Sequence, residues 1–409
     1  MKLHLSGPSD IVLNTEIKIT GSKSETNRLL LLQALFQNIT IANLSNSDDA
    51  QVMEKGLKIS KGEVDIHHAG TAMRFLTSYF AISEGKEVIL TGSDRMKERP
   101  IKVLVDALIS MGADISYAGN EGYPPLKIRG KNLEKSTVSL PANISSQYIS
   151  SLILVAPSLE KGLEIELVGK ITSVPYIKMT LALLKEVGID SDFVGNSIRV
   201  YPMEKVAAKD LVVESDWSAA SYFYSIVALS GVGSEIKLSS YKKSSLQGDS
   251  ILSKIYEAFG VKTTFLENSI LLKKEDELKP KTFSLNLRNA PDIAQTIAVT
   301  CLGLGMDCHL TGLHTLPIKE TDRLAAMKIE LEKLGAEVAI TSESLTLMTC
   351  KVLKKDIAID TYNDHRMAMA FAPIAFKTDL FINDAGVVSK SYPDFWKDMK
   401  TIGITVNKV

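Results

Sequence analysis

The sequence predicts an α/β protein of two similar domains, each made of three copies of a unit with two helices and several strands, helices inside and sheets outside. Three observations predict it. A short amphipathic helix that ends in a glycine turn before a strand recurs at Gly112, Gly188, Gly260, Gly335 and Gly403, about 70 residues apart. A more apolar helix with a polar start precedes each of these. The stretches Leu29–Leu35 and Leu152–Ala156 are almost wholly apolar, which calls for helices buried on every side.

Along the chain, the inner helices read as Glu25–Phe36, Ala72–Ala81, Ser146–Val155, Ser218–Leu229, Ile293–Leu304 and His365–Phe376. The outer, amphipathic ones read as Asp106–Gly112 and Leu181–Gly188, then as helices ending at Phe259-Gly260, Leu334-Gly335 and Ile402-Gly403. A weaker sixth copy runs from Asp48 to about Ile59 and lacks the glycine. Glycine suits the turn because it ends a helix in the left-handed conformation with no Cβ penalty. Between the helices, β-branched or alternating stretches such as Glu87–Thr91, Gly162–Val168 and Glu235–Leu238 read as strands.

A chain of 409 residues exceeds one ordinary core, since domains run to roughly 100–200 residues. Forty-seven Lys and Arg against 48 Asp and Glu leave a net charge of −1, which excludes a general nucleic-acid binder. Any anionic ligand must then be attracted by basic residues gathered locally. Three cysteines, Cys301, Cys308 and Cys350, form no CxxC and fit a reduced, cytoplasmic setting. Six histidines without HExxH or paired ligand spacing give no metal site. The N-terminus lacks the apolar stretch of a signal peptide, and the run Leu152–Pro157 is far short of the roughly 20 residues of a membrane span. No membrane partner is expected.

Several helix starts carry more polarity than a cap needs. In Gly21-Ser22-Lys23-Ser24-Glu25-Thr26-Asn27-Arg28, Ser22 and Glu25 have capping-box spacing, but Lys23 opposes the helix dipole. Lys23 and Arg28 beside exposed N–H groups fit a bound anion. Ala69-Gly70-Thr71 lets backbone N–H groups approach a ligand, or is simply a packing turn. Arg95-Met96-Lys97-Glu98-Arg99-Pro100 reads by itself as solvated surface, and Asn143-Ile144-Ser145-Ser146-Gln147 as a helix cap. Lys319 and Arg323 lie four apart at a helix start and should share a face. Tyr362-Asn363-Asp364-His365-Arg366 leads into a wholly apolar helix, and burying such charge is expensive unless something binds there. Asp292 serves as an N-cap or as a base; Lys390, in a loop, is uninformative alone.

Taken together these segments resemble the 5-enolpyruvylshikimate-3-phosphate synthases along the whole chain. The matching strings are Gly-Ser-Lys-Ser…Asn-Arg (21–28), Ala-Gly-Thr-Ala-Met-Arg (69–74), Arg-Met-Lys-Glu-Arg-Pro-Ile (95–101) and Ser-Ser-Gln (145–147). They continue as Gln-Gly-Asp (247–249), Lys-Glu-Thr-Asp-Arg-Leu (319–324) and Tyr-Asn-Asp-His-Arg-Met-Ala-Met (362–369). The resemblance implies two domains of three βαβαββ repeats, an α/β barrel turned inside out. One domain would comprise residues 1–20 and 215–409 and the other 21–214, with the active site in the cleft between them.

It further implies transfer of the enolpyruvyl group of phosphoenolpyruvate to the 5-hydroxyl of shikimate 3-phosphate, with release of phosphate. Shikimate 3-phosphate would be held by Lys23, Ser24, Arg28, Ser145, Ser146, Gln147, Ser173, Asp292 and Lys319. Phosphoenolpyruvate would be held by Lys23, Gly70, Arg99, Gln147, Arg323, Arg366 and Lys390. Asp292 would act as base at the hydroxyl, with Glu320 and Lys23 around proton transfer at C3. A monomer working without metal or organic cofactor is expected. The chain departs from the family pattern at His68, Phe75 and Thr315, which bears on substrate affinity and on inhibition by glyphosate. The sister transferase acting on UDP-N-acetylglucosamine typically has a Cys in the loop before Arg-Pro, and Gly92–Pro100 has none. A non-catalytic anion-binding protein is the rival from another class.

Overall fold

Five sheets of the computed structural model share one pairing scheme. The structure describes every residue except 9–11, 144, 170, 172–173 and 278–280. In each sheet one parallel pair is followed by two antiparallel pairs. Lys61–Asp65 lies parallel to Glu87–Thr91, which pairs antiparallel with Leu126–Arg129, and that strand with Asp114–Tyr117. The same order recurs from Thr137–Pro141, from Asn14–Ile17, from Thr282–Asn286 and from Ile357–Ile359. The last of these is completed by the chain ends, Leu3–Ser6 and Thr405–Lys408. The sixth sheet has two strands only among the described residues, Ile39–Ala42 parallel to Lys209–Val212. It accompanies the sequence copy that lacks its glycine.

The chain divides into two units, one of Met1–Thr20 with Glu214–Val409 and one of Gly21–Val213. Each contains three of the sheets. Within the second unit the helices Lys23–Leu35, Gly70–Ile82 and Ser146–Val155 pack on one another. Within the first, Ala294–Leu304 packs on both Trp217–Leu229 and His365–Phe371. All twelve described residues of Trp217–Leu229 other than Ser218 are buried, as an apolar sequence with no polar face requires. Buried hydroxyls join these inner helices: Ser78 to Ser151 at 2.8 Å, and Ser221 to Thr296 at 3.0 Å. Their small side chains let the helices approach, and each hydroxyl satisfies the other. The strands alternate, as in Leu163–Val168 where every second residue is buried, so each sheet shows its other face to solvent.

The α/β class, with helices inside and sheets outside, is therefore as expected, and the five turn glycines all have positive φ, from 74 to 112°. Two elements differ. The expected helix before Gly260 is broken into Gly248–Ile251, Leu252–Ile255 and Tyr256–Phe259, of which only the middle piece is α-helical. The helix expected to run to Phe376 is α-helical to Phe371 and continues as a tighter 3-10 turn containing Pro373, because proline cannot supply the backbone N–H of an α-helical bond.

Candidate active site

In the Gly21–Val213 unit, the helix Lys23–Leu35 starts at Ser22, whose hydroxyl makes no capping bond. The expected capping box is thus not built on Ser22. Lys23 instead extends its ammonium to Asp49 Oδ2 at 3.0 Å, an acid that sequence reading did not select. Arg28 is buried and fully engaged: Nε donates to Thr180 Oγ1 at 2.8 Å, Nη1 to the Ser24 carbonyl at 2.8 Å and Nη2 to Ser150 Oγ at 3.2 Å. Burial pushes its guanidinium down to about 10, against the opposing pull of Tyr176 and Glu25, so it stays cationic at neutral pH.

Gly70 opens the helix Gly70–Ile82 with no side-chain cap before it. A Cβ there would stand 2.6 Å from Arg99 Nη1, so any other residue would displace that guanidinium. Arg74 Nη2 and the Tyr148 hydroxyl both donate to the Pro100 carbonyl, at 3.2 and 2.5 Å, and hold the adjoining loop. The rest of the charge run is surface: Arg95 pairs with Glu98 and Lys97 with Asp94, all exposed. Ser145 is indeed a cap, accepting from the Gln147 backbone N–H at 3.3 Å. Gln147 Nε2 donates to Thr71 Oγ1 at 3.1 Å and so ties this helix start to the one at Gly70. Ser146 is buried beside it, Ser24 is half-buried, and Ser173 lies outside the described residues. His68 is exposed and bonds Ser93 Oγ at 2.8 Å through Nδ1, while Phe75 is buried with the Arg28 guanidinium 5.4 Å from its ring centre.

In the other unit the centre is Asp292, in the 3-10 turn Pro291–Ile293. It is not an N-cap. Oδ1 takes Arg323 Nη1 at 2.9 Å and Lys319 Nζ at 3.5 Å, and Oδ2 takes Arg366 Nη2 at 3.2 Å. Arg323 also binds Glu320 at 2.9 Å and Asp364 at 2.7 Å. Lys319 and Glu320 precede the helix Arg323–Lys333, whose cap is Asp322. They therefore share no helix face with Arg323, and the bend before the helix turns Lys319 onto Asp292. Asp364 caps the next helix by accepting from the Arg366 N–H at 2.9 Å. Lys390 Nζ reaches the Asn363 carbonyl at 2.5 Å. Thr315 Oγ1 is buried with no partner among the described residues.

The electrostatics follow from this crowding. Burial pushes the Asp292 carboxyl up, but Arg366, Lys319 and Arg323 together outweigh burial and Glu320 and hold it well below the usual carboxylate range. Burial likewise disfavours the Arg323 cation, and Asp364, Glu320 and Asp292 more than restore it. Behind Arg366 stand two residues that sequence reading passed over as chemistry, Ser218 and Asp249. Asp249 was visible only as part of the Gln-Gly-Asp string, and Asp49 only as acid in a helix first turn.

A three-sheet, three-helix unit occurring twice, with the Asp292 carboxylate enclosed by three cations in one of them, defines a two-unit α/β protein carrying a buried cluster of paired charges. An EPSP synthase from Acinetobacter baumannii has this fold: TM-score 0.80, with all of both chains covered at 19% identity. Residues 58–399 match the family EPSP synthase (3-phosphoshikimate 1-carboxyvinyltransferase). A 3-phosphoshikimate 1-carboxyvinyltransferase of Bacteroides fragilis is 42% identical, with 99% of each chain covered. One of Vibrio atlanticus is 37% identical, covering 95% of this chain and 97% of the relative. The chain belongs to the EPSP synthase family.

Proposed function

We propose that the chain transfers the carboxyvinyl group of phosphoenolpyruvate to the 5-hydroxyl of shikimate 3-phosphate and releases phosphate; the family's name gives the carboxyvinyl group and 3-phosphoshikimate. End-to-end identity of 42% to a relative of that name carries this reading. Two phosphates and two carboxylates enter, and Lys23, Arg28, Arg99, Lys319, Arg323, Arg366 and Lys390 are the cations assigned to them. In this reading Ser145, Ser146 and Gln147 supply neutral donors. Among the described residues no helix is long and apolar enough to cross a membrane, and we place the reaction in the cytoplasm, on a monomer.

Asp292 takes the proton of the attacking hydroxyl. Enclosed by three cations it is a weak base. Anionic substrates that draw Arg366, Arg323 and Lys319 onto themselves withdraw that positive field and raise its basicity when acceptor and donor are bound. Glu320 and Lys23 serve proton transfer at C3 of the enol; in the loss of phosphate from the tetrahedral adduct a proton is withdrawn again from C3 while the departing phosphate takes one up.

The test is phosphate release from phosphoenolpyruvate with shikimate 3-phosphate, without it, and with UDP-N-acetylglucosamine. Release only with shikimate 3-phosphate, abolished in Asp292→Ala, is the expected result. No release from folded protein with either acceptor would mean an anion-binding protein without the chemistry.

A further inference from the structure

Asp249 is a buried carboxylate that the proposed mechanism does not use. It sits in the turn Gly248–Ile251, 5% exposed. Oδ2 accepts a hydrogen bond from Ser218 Oγ, in the first turn of the helix Trp217–Leu229. Oδ1 is buried with no partner among the described residues. Ser218 Oγ in turn accepts from Arg366 Nη2 at 3.3 Å. The same nitrogen lies 3.2 Å from Asp292 Oδ2, and Arg366 Nη1 donates to the Asp292 carbonyl at 3.1 Å.

A hydroxyl has one proton. With that proton given to Asp249, a Ser218 lone pair is left facing Arg366. Without the Asp249 acceptor the hydroxyl is free to rotate, and its proton can turn toward the guanidinium and oppose it. The relay also competes with Asp292 for Nη2. It supplies Arg366 with a second anchor that remains when an incoming anion draws the guanidinium off Asp292. A purely structural acid would be cheaper with both oxygens paired, since an unsatisfied buried acceptor is destabilising.

Resting on the reading of Arg366 as a phosphoenolpyruvate ligand, we propose that Asp249 is a positioning residue for that ligand: acting through the Ser218 hydroxyl, it holds the Arg366 guanidinium in the orientation that receives an anionic group of phosphoenolpyruvate. The role is indirect and concerns binding of the donor, so it predicts a split between the two substrates.

The experiment is steady-state kinetics on Asp249→Ala, Asp249→Asn, Ser218→Ala, the Asp249→Ala/Ser218→Ala double variant and Arg366→Ala, with thermal unfolding of each. Asp249→Ala and Ser218→Ala should each raise KM for phosphoenolpyruvate about 10-fold and leave KM for shikimate 3-phosphate within about twofold. The double variant should be no worse than either single one, because both break the same relay. Asp249→Asn keeps an acceptor oxygen and should return to within about threefold of the parent. An unchanged KM for phosphoenolpyruvate in folded Asp249→Ala, beside a raised one in Arg366→Ala, would refute the relay and spare the ligand reading. Equal rises in both KM values with a lowered melting temperature would reduce Asp249 to a structural role. An Arg366→Ala variant with normal KM for phosphoenolpyruvate would overturn the ligand reading and the relay with it.

Discussion

Arg323 and Asp364 form a buried ion pair, Nε to Oδ2 at 2.7 Å, with their side chains 2% and 0% exposed. The two are 41 residues apart and close the start of one helix onto the start of another. Removing Arg323 strands the fully buried Asp364 charge, whereas Arg323 without Asp364 keeps Asp292 and Glu320 at 2.9 Å each. Arg323→Gln should lower unfolding free energy by about 3–5 kcal/mol, and Asp364→Asn by less. The double variant should lose clearly less than the sum, because the second change relieves the charge stranded by the first. Urea denaturation decides it, and additive losses would mean that the pair contributes nothing as a pair.

Gly70 and Arg99 are fitted to one another. Gly70→Ala places a methyl 2.6 Å from Arg99 Nη1, and the flexible guanidinium is what can move. The expected outcome is a folded enzyme whose KM for phosphoenolpyruvate rises about 10-fold or more, since small displacements of a positioning cation are costly. A melting temperature that falls sharply instead would show that the methyl is accommodated by the helix and not by Arg99.

Gln295, in the inner helix Ala294–Leu304, is 1% exposed, and neither Nε2 nor Oε1 has a partner among the described residues. Leaving an amide so placed costs about 1–3 kcal/mol. Methionine has nearly the same length and no such demand. Gln295→Met should raise stability by about 1–2 kcal/mol with activity retained. A lowered urea midpoint would reveal a water that pairs the amide.

Asp249 makes stability depend on pH. Burial, with help from Asp292 and Asp216 and against Arg366 and the Ser218 bond, pushes its carboxyl from the ordinary 3.8 up to about 6. Between those values the folded chain holds a proton that the unfolded chain has released. This contribution is complete below the unfolded value and is lost as pH rises through 6. Asp249→Asn cannot ionise, so its stability relative to the parent should climb from pH 4 to pH 7 by about 3 kcal/mol at most. Parallel pH profiles for the two proteins would contradict the shifted carboxyl.

Legibility followed the range of the interaction. Ser146–Val155 and Glu87–Thr91 were readable to the residue because periodicity and β-branching are local. The segment before Gly260 read as one helix, since its apolar spacing is helical, yet it folds as three short pieces around buried Asp249 and Tyr256. Lys23 was recognisable because a cation at a helix start is anomalous; its partner Asp49 was not, because an acid in a helix first turn is ordinary. Ser218 was similarly hidden, a serine at the start of an apolar helix.

By itself the sequence determined the α/β class, the six inner helices and five left-handed glycine turns, because 3.6-residue periodicity and positive φ are properties of short stretches of chain. Only the tertiary structure decided which charges meet. Asp292 is 31 positions from Arg323 and 74 from Arg366, and a bend, not a helix face, carries Lys319 to it. Such pairings depend on how whole helices pack, and no local pattern records that packing.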